Sequence, residues 1–170
     1  MEKVFHYTIR PVRNEDEPFL WEMLYYAAHL DEDGEVSIPE AMRNPTLAKY
    51  VQHWGRAGDV GCIAVELDTG QLLGAAWVRL LTGADKVSNV IDETTPELAI
   101  AVLPEHIGKG IGAQLLTQLL DAAKTVYSTV VLSVRATNPA KRLYERLGFV
   151  VVDEITNRVG SRSFVMRVEL

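Results

Sequence analysis

The sequence lacks the features of membrane, secreted and disulfide-stabilised proteins. Cys62 is the single cysteine among 170 residues, so no disulfide can form within the chain. No window reaches the ~18 consecutive apolar residues of a membrane span, and the best run, Leu72 to Leu81, contains the charged Arg79. The N-terminal segment is rich in charge and has no apolar core, which predicts no secretory leader. These absences favour a protein of the reducing cytoplasm without a membrane partner.

Positive charge is also scarce. The chain has 17 Lys and Arg against 23 Asp and Glu, a net charge of −6. Nonspecific nucleic-acid binding requires a basic surface, so we expect no nucleic-acid partner. His6, His29 and His53 are scattered without Asp, Glu or Cys at ligand spacing, which predicts no metal. Cys62 lies in an apolar run and is predicted to be a buried structural thiol.

Composition and patterning predict one α/β domain over residues 1–170. Apolar residues make up 48% and charged residues 24%, and no repeat or linker interrupts the chain. Periodicity, caps and turns predict the order β-α-α-β-β-β-α-β-α-β-β, with a mixed sheet because hairpins and crossovers both occur. The second helix is predicted over Pro45 to Trp54, and the last is predicted to begin at Asn138. The acidic run from Asp31 to Glu35 is predicted to be an exposed loop.

The segment from Glu97 to Gly112 is the most informative one. A buried strand is predicted to end at Pro104, followed by a turn through Gly108 and Gly110 and by the start of a helix. Such a turn aims several backbone N–H groups at one point before a helix N-terminus, where partial positive charge also gathers. A phosphate-bearing ligand fits this arrangement.

Two common nucleotide motifs do not fit the same residues. The stretch from Gly108 to Ala113 can be aligned with the dinucleotide fingerprint, but the next strand ends at Arg135 without the acid that the fingerprint requires. The P-loop of NTPases requires Ser or Thr after its lysine, whereas Lys109 is followed by Gly110. Neither nucleotide site is therefore favoured.

Two motifs resemble the signatures of the GCN5-related N-acetyltransferase (GNAT) family. The family's Val-x-Pro followed by Arg/Gln-x-x-Gly-x-Gly/Ala is matched by Val102-Leu103-Pro104 and Ile107-Gly108-Lys109-Gly110-Ile111-Gly112. The family's Asn…Ala…Leu-Tyr…Leu-Gly-Phe is similar to the stretch from Asn138 to Phe149. The resemblance covers nearly the whole chain and implies a mixed, mostly antiparallel GNAT-type sheet flanked by helices. One position departs from it, because Ile107 stands where the family has Arg or Gln.

The resemblance implies acetyl-CoA as co-substrate. Its pyrophosphate would lie on the glycine loop, formed by Ile107, Gly108, Lys109, Gly110, Ile111, Gly112 and Ala113. In that loop Ile107 contributes a backbone N–H group, and Lys109 supplies charge in place of the missing Arg or Gln. The pantetheine arm would pair with the backbone at Val102 and Leu103. Asn138 would hydrogen-bond the cofactor, although its helix-cap role explains an asparagine equally well.

Tyr144 and the acceptor residues follow from the same resemblance, whereas Glu97 follows from its place on the strand. Tyr144 would protonate the leaving thiolate, the alternative being a half-buried core tyrosine. Glu97, on the strand face that Ala99 and Ala101 leave open, is a candidate general base, the alternative being a solvated carboxylate at the strand start. The family's acceptor pocket would lie near three residues whose alternative role is packing, namely Tyr25, Tyr26 and His29.

The function predicted is an acetyl-CoA-dependent N-acetyltransferase acting on a primary amine of a small molecule, peptide or protein. The alternative is a GNAT-fold module that binds or senses acyl-CoA without turnover, which the Ile107 departure favours. A homodimer through the late strands is a further expectation.

Overall fold

The computed structural model describes residues 6–32 and 37–170. Seven strands form one sheet in the order β1-β2-β3-β4-β5-β7-β6. The strands are β1 (Tyr7–Pro11), β2 (Val60–Glu66), β3 (Leu72–Arg79), β4 (Glu97–Val102), β5 (Thr129–Arg135), β6 (Val150–Thr156) and β7 (Arg162–Glu169). The helices are α1 (Glu17–Ala27), α2 (Ile38–Met42), α3 (Pro45–Ala48), α4 (Ile111–Ala123) and α5 (Lys141–Arg146).

The predicted fold class is confirmed. Neighbouring strands pair antiparallel except β4 and β5, which run parallel. Parallel neighbours need a crossover, and α4 provides it between these two strands. The result is a mixed, mostly antiparallel sheet between helices.

Two helix predictions need correction. The helix predicted over Pro45 to Trp54 ends at Ala48, and the separate helix α2 precedes it. Side chains of β3 bind backbone carbonyls of residues 49–52, which fixes that stretch as turns rather than helix. The last helix begins at Lys141, because the Asn138 side chain closes a turn by accepting from the Ala140 N–H at 2.9 Å. Of the predicted acidic loop, residues 31 and 32 are exposed, and 33–35 lie outside the described residues.

The helices cover both faces of the sheet. On one face α4 buries a stripe with helical spacing, and Tyr144 of α5 packs against the same cluster. That stripe consists of Ile111, Leu115, Leu116, Leu119 and Ala123. On the other face α1 packs with the short helices against Ala99 and Ala101 of β4. Fully burying one such leucine contributes about 1.5–3 kcal/mol, so these faces supply much of the folding free energy.

The single cysteine and the lengths of the described helices are typical of a globular domain. Cys62 is buried as predicted, and burial raises the pKa of its thiol. No helix within residues 6–32 and 37–170 is long and apolar enough to cross a bilayer.

Candidate active site

A gap between β4 and β5 forms the centre of the candidate site. The two strands meet only where Glu97 pairs with Val131, and beyond that point they are not paired. Along a strand, the backbone N–H and C=O groups of successive residues point alternately to the neighbouring strand on one side and on the other. Leu103 donates its N–H to the Leu73 carbonyl at 2.8 Å, on the β3 side, so Ile100 and Val102 face the gap instead. An extended ligand can therefore pair with β4 as an added strand, through these two residues rather than through Leu103.

The glycine loop lies where β4 ends and α4 begins. Gly108 and Gly110 have φ of 87° and 79°, in the left-handed region that favours glycine. No atom lies within 4 Å of a Cβ built on either residue, so the space in front of them is open. Their N–H groups make no hydrogen bond within the described residues. The first N–H groups of α4, up to Ala113, have no intrahelical acceptor. Together these donors can hold a phosphate.

Two side chains of the glycine loop differ in charge, because Lys109 is cationic and Ile107 is apolar. Lys109 Nζ lies 3.0 Å from His106 Nδ1, which keeps the ammonium beside the loop. Ile107 is 69% exposed, so a large apolar side chain projects where the family carries a donor. The loop thus offers more backbone donors than side-chain donors.

Asn138 lies in the turn before α5. Its side-chain oxygen accepts from the Ala140 N–H, as a cap residue would. Its side-chain NH2 makes no hydrogen bond to any described residue. One half of the amide therefore organises the turn, and the other half can donate to a ligand.

Tyr144 is 7% exposed and lies in the core cluster beneath α4. Its ring meets Phe149 edge to face, with 6.0 Å between centroids. Burial raises the pKa of its phenol to about 12. Among the described residues the hydroxyl has no hydrogen-bond partner. Tyr144 is thus more buried than expected, and its hydroxyl is left available to hydrogen-bond a ligand.

Glu97 is buried at the start of β4, which departs from the alternative of a solvated strand-end carboxylate. The Tyr50 hydroxyl donates to Glu97 Oε1 at 3.1 Å, whereas Oε2 is buried with no donor among the described residues. Burial raises the pKa of Glu97 to about 7, against the lowering effects of Tyr50 and of the Lys49 charge. A carboxylate with this pKa can exchange a proton near neutral pH.

The predicted acceptor residues lie at the end of α1. Tyr25 and Tyr26 pack edge to face at 5.4 Å and border the same cluster as Ala99 and Ala101. Burial raises the pKa of Tyr26, and so do nearby carboxylates that include Glu105, just before the glycine loop. The end of α1 therefore lies beside the mouth of that loop.

His29 follows the last turn of α1. It adopts a left-handed φ of 59°, and its Nδ1 lies 2.6 Å from the Glu32 carboxylate. Arg158, at the tip of the β6–β7 hairpin, donates to the Ala28 carbonyl at 3.1 Å. The late hairpin thus reaches the end of α1, as an acceptor pocket between these elements requires.

Two residues near the site have no counterpart in the sequence predictions. Tyr50 lies within the stretch that periodicity assigned to a helix, so no signal separated it from packing aromatics. Arg79 gave a usable signal as the one charge in an apolar run. It forms a buried ion pair with Asp59 at 2.7 Å.

A cavity of about 700 Å³ lies elsewhere, along α4 and the strands β1 and β7. It is lined by Ile9, Cys62 and Leu120, and it includes neither the glycine loop nor Glu97. The described residues hold no cluster of three or more metal-ligating side chains.

The described residues form an α/β fold whose sheet is split between β4 and β5, with a glycine loop at the end of the split. A sequence model of the acetyltransferase (GNAT) family matches residues 15–149, most of the chain. The chain belongs to this family, and the resemblance drawn from its two motifs is confirmed.

Two curated relatives match part of the chain. The ribosomal protein bS18-alanine N-acetyltransferase of Haemophilus influenzae is 43% identical over 65 residues, 38% of this chain and 44% of the relative. The L-amino acid N-acyltransferase MnaT of Escherichia coli is 36% identical over 70 residues, 40% of each. The matched segments span less than half of either relative.

A solved structure agrees over almost the whole chain. The yncA protein of Salmonella typhimurium, determined with its cofactor acetyl-CoA, has a TM-score of 0.70 and 24% identity. The similarity covers 97% of this chain and 94% of that one. At this identity the similarity shows the fold.

Proposed function

We infer that the protein is an acetyl-CoA-dependent N-acetyltransferase whose acceptor is a primary amine. The observation that carries this proposal is the β4–β5 gap. It has phosphate-binding donors at the Gly110 end and a buried carboxylate, Glu97, at the other. Membership of the acetyltransferase (GNAT) family supports the same reaction.

The cofactor would bind along β4. Its pyrophosphate would accept hydrogen bonds from the N–H groups of Gly108, Gly110 and the first turn of α4. Its pantetheine arm would pair with Ile100 and Val102 across the gap. The Asn138 side-chain NH2 supplies one further donor. The thioester would then lie towards Glu97.

The reaction transfers the acetyl group to an amine in one step. The amine nitrogen bonds to the thioester carbon, the C–S bond breaks, and the nitrogen loses a proton to Glu97, directly or through a water. A backbone N–H of β4 that faces the gap donates to the developing oxyanion. The departing thiolate gains a proton from Tyr144 or from solvent, which balances the reaction.

Tyr144→Phe is expected to lower kcat about tenfold, the effect of losing one hydrogen bond to the leaving thiolate. Burial raises the pKa of Tyr144 to about 12, so full proton transfer to a thiolate with a pKa near 8.5 is uphill. For the same reason no descending limb below pH 10 should come from Tyr144. The measurement is kcat against pH from 6 to 10, with melting temperature as the folding control. An unchanged kcat would leave Tyr144 a core residue only.

The proposal is tested by acetyl-CoA-dependent thiol release with a panel of amines. The panel contains free amino acids, peptides with a free N-terminus, a lysine side-chain amine and a polyamine. We expect release that depends on one class of amine, with the acetylated product identified by mass spectrometry. A parallel panel of alcohols distinguishes an N-acetyltransferase from an O-acyltransferase, which would release thiol with an alcohol as acceptor.

A module that binds acyl-CoA without turnover is the second candidate, favoured by the exposed Ile107 in place of a side-chain donor. Calorimetry with CoA and acetyl-CoA decides between the two. Tight binding without thiol release from any amine, and without an effect of Tyr144→Phe, would establish the module and contradict the enzyme.

A further inference from the structure

The stretch from Lys49 to Asp59, here called the base-flanking segment, is fixed to the sheet by β3. Arg79 Nη1 donates to the Gln52 carbonyl at 2.7 Å and to the Lys49 carbonyl at 3.3 Å. Trp77 Nε1 donates to the carbonyl of Tyr50 itself at 3.0 Å. Backbone anchors before, at and after Tyr50 therefore determine where its phenol lies.

The same arrangement directs the Arg79 side chain to Asp59 and not to Glu97. Arg79 is the cross-strand partner of Glu97, on the same face of the sheet. Its guanidinium instead meets both oxygens of Asp59, at 3.1 and 2.7 Å, and the two side chains are 2% and 3% exposed. No ion pair to Glu97 occurs within the described residues. A direct Arg79 pair would hold Glu97 ionised but occupy its oxygens.

The other groups around Glu97 are few. Lys49 acts on it through its charge alone, because the Lys49 ammonium donates to the Asp85 carbonyl at 2.6 Å. Tyr25 and Tyr26 of α1 border the cluster that Ala99 and Ala101 also border, and burial raises the pKa of the Tyr26 phenol. The paired residue of β5, Val131, is apolar. Among the described residues, the Tyr50 hydroxyl is the one donor that touches the carboxylate.

We propose that Tyr50 is a positioning residue for Glu97. Its phenol holds Oε1 and leaves Oε2 to take the amine proton, while the Arg79–Asp59 pair holds the base-flanking segment that carries it. The hydrogen bond favours the ionised carboxylate and so extends the range in which Glu97 acts as a base towards lower pH. This inference rests on the proposed function, because it assigns Tyr50 a role only through Glu97.

The test is Tyr50→Phe, assayed as kcat/KM against pH with the best amine of the panel. Losing a hydrogen bond to a charged group should move the ascending limb to higher pH by about one unit. The rate at pH 6 should then fall about tenfold, and the rate well above the limb should change less than about twofold. The KM for acetyl-CoA should not change. A merely structural role would lower the rate equally at every pH.

Tyr127→Phe is the matched control. The Tyr127 hydroxyl lies outside the base-flanking segment and donates to its Gly58 carbonyl at 2.8 Å, so this variant removes a phenol hydrogen bond to the same segment without changing a contact of Glu97. Its ascending limb should stay where the wild-type limb lies. A limb that does not move in Tyr50→Phe, or that moves equally in Tyr127→Phe, overturns the role of Tyr50.

Glu97→Gln separates this failure from a failure of the proposed function. If Glu97→Gln keeps the ascending limb, Glu97 is not the base, and the roles of both residues are rejected. If Glu97→Gln loses the limb and Tyr50→Phe does not shift it, Glu97 remains the base and only the Tyr50 inference is rejected.

Discussion

Glu97→Gln is expected to lower kcat/KM at pH 8 by about 100-fold or more, the usual contribution of a general base. Burial raises the pKa of Glu97 to about 7, so the wild-type rate should rise with pH through that value as the carboxylate ionises. The variant lacks this carboxylate, so its profile should be flat in this window. The acceptor amine titrates at higher pH and affects both proteins alike.

The same substitution is expected to stabilise the protein above pH 7. The ordinary pKa of a glutamate is 4.5, and burial raises that of Glu97 to about 7. Between these values the unfolded chain releases a proton that the folded protein keeps, so the free energy of unfolding falls as pH rises. At ~1.4 kcal/mol per pH unit, the charged carboxylate lowers stability by about 3 kcal/mol above pH 7. Glutamine avoids this penalty because it stays neutral.

Asp16→Asn is the control, because its expected effect on the free energy of unfolding has the opposite sign. The Asp16 carboxylate is also buried, but it forms an ion pair with Arg10 at 2.8 Å, and the Arg10 hydrogen bond lowers its pKa. Its charge therefore stabilises the fold at neutral pH, and this stability is lost as pH falls through the lowered pKa. The measurement is the melting temperature of each variant and of the wild type at pH 5 and pH 8. For Glu97→Gln it should rise above the wild-type value at pH 8 only. For Asp16→Asn it should fall below the wild-type value. A fall for both would show that Glu97 is structural.

The sheet and the glycine loop could be predicted from sequence because their signals are local. The left-handed φ of Gly108 and Gly110 favours glycine at both positions, so the turn is visible in the sequence as glycines at alternate positions. The stripe of α4 repeats with helical period, since one face of that helix is buried throughout. The β4–β5 gap has no such signal. It depends on where two strands distant in sequence stop pairing.

The surroundings of Glu97 could not be predicted, because they join residues distant in sequence. Tyr50 and Glu97 are 47 positions apart, and Arg79 and Asp59 are 20 apart. The helix predicted through Trp54 was wrong for the same reason: Arg79 and Trp77 bind the carbonyls of Lys49 and Tyr50, which a helix would have used internally. A lone charge in an apolar run, as at Arg79, indicates a buried partner without identifying it.

Gly110→Glu is expected to abolish CoA binding, raising the Kd at least about 100-fold. Gly110 is the first residue before α4, and the space around its missing Cβ is open. A carboxylate there would fill the space in front of the helix N-terminus and repel the pyrophosphate. Losing hydrogen bonds from two or three N–H groups, at about 1–1.5 kcal/mol each, accounts for that factor. Calorimetry with CoA measures it.

Gly70→Glu is the control for backbone strain and charge. Gly70 has a left-handed φ of 72° and open space around it, but it lies in the β2–β3 turn and not in the glycine loop. Both variants place the same side chain in the same unfavourable conformation, which costs about 1–2 kcal/mol. They should therefore lose similar melting temperature, while only Gly110→Glu loses CoA. Equal CoA affinity in the two variants would mean that the phosphates do not bind at the glycine loop, and the assignment of the gap as the cofactor channel would fail with it.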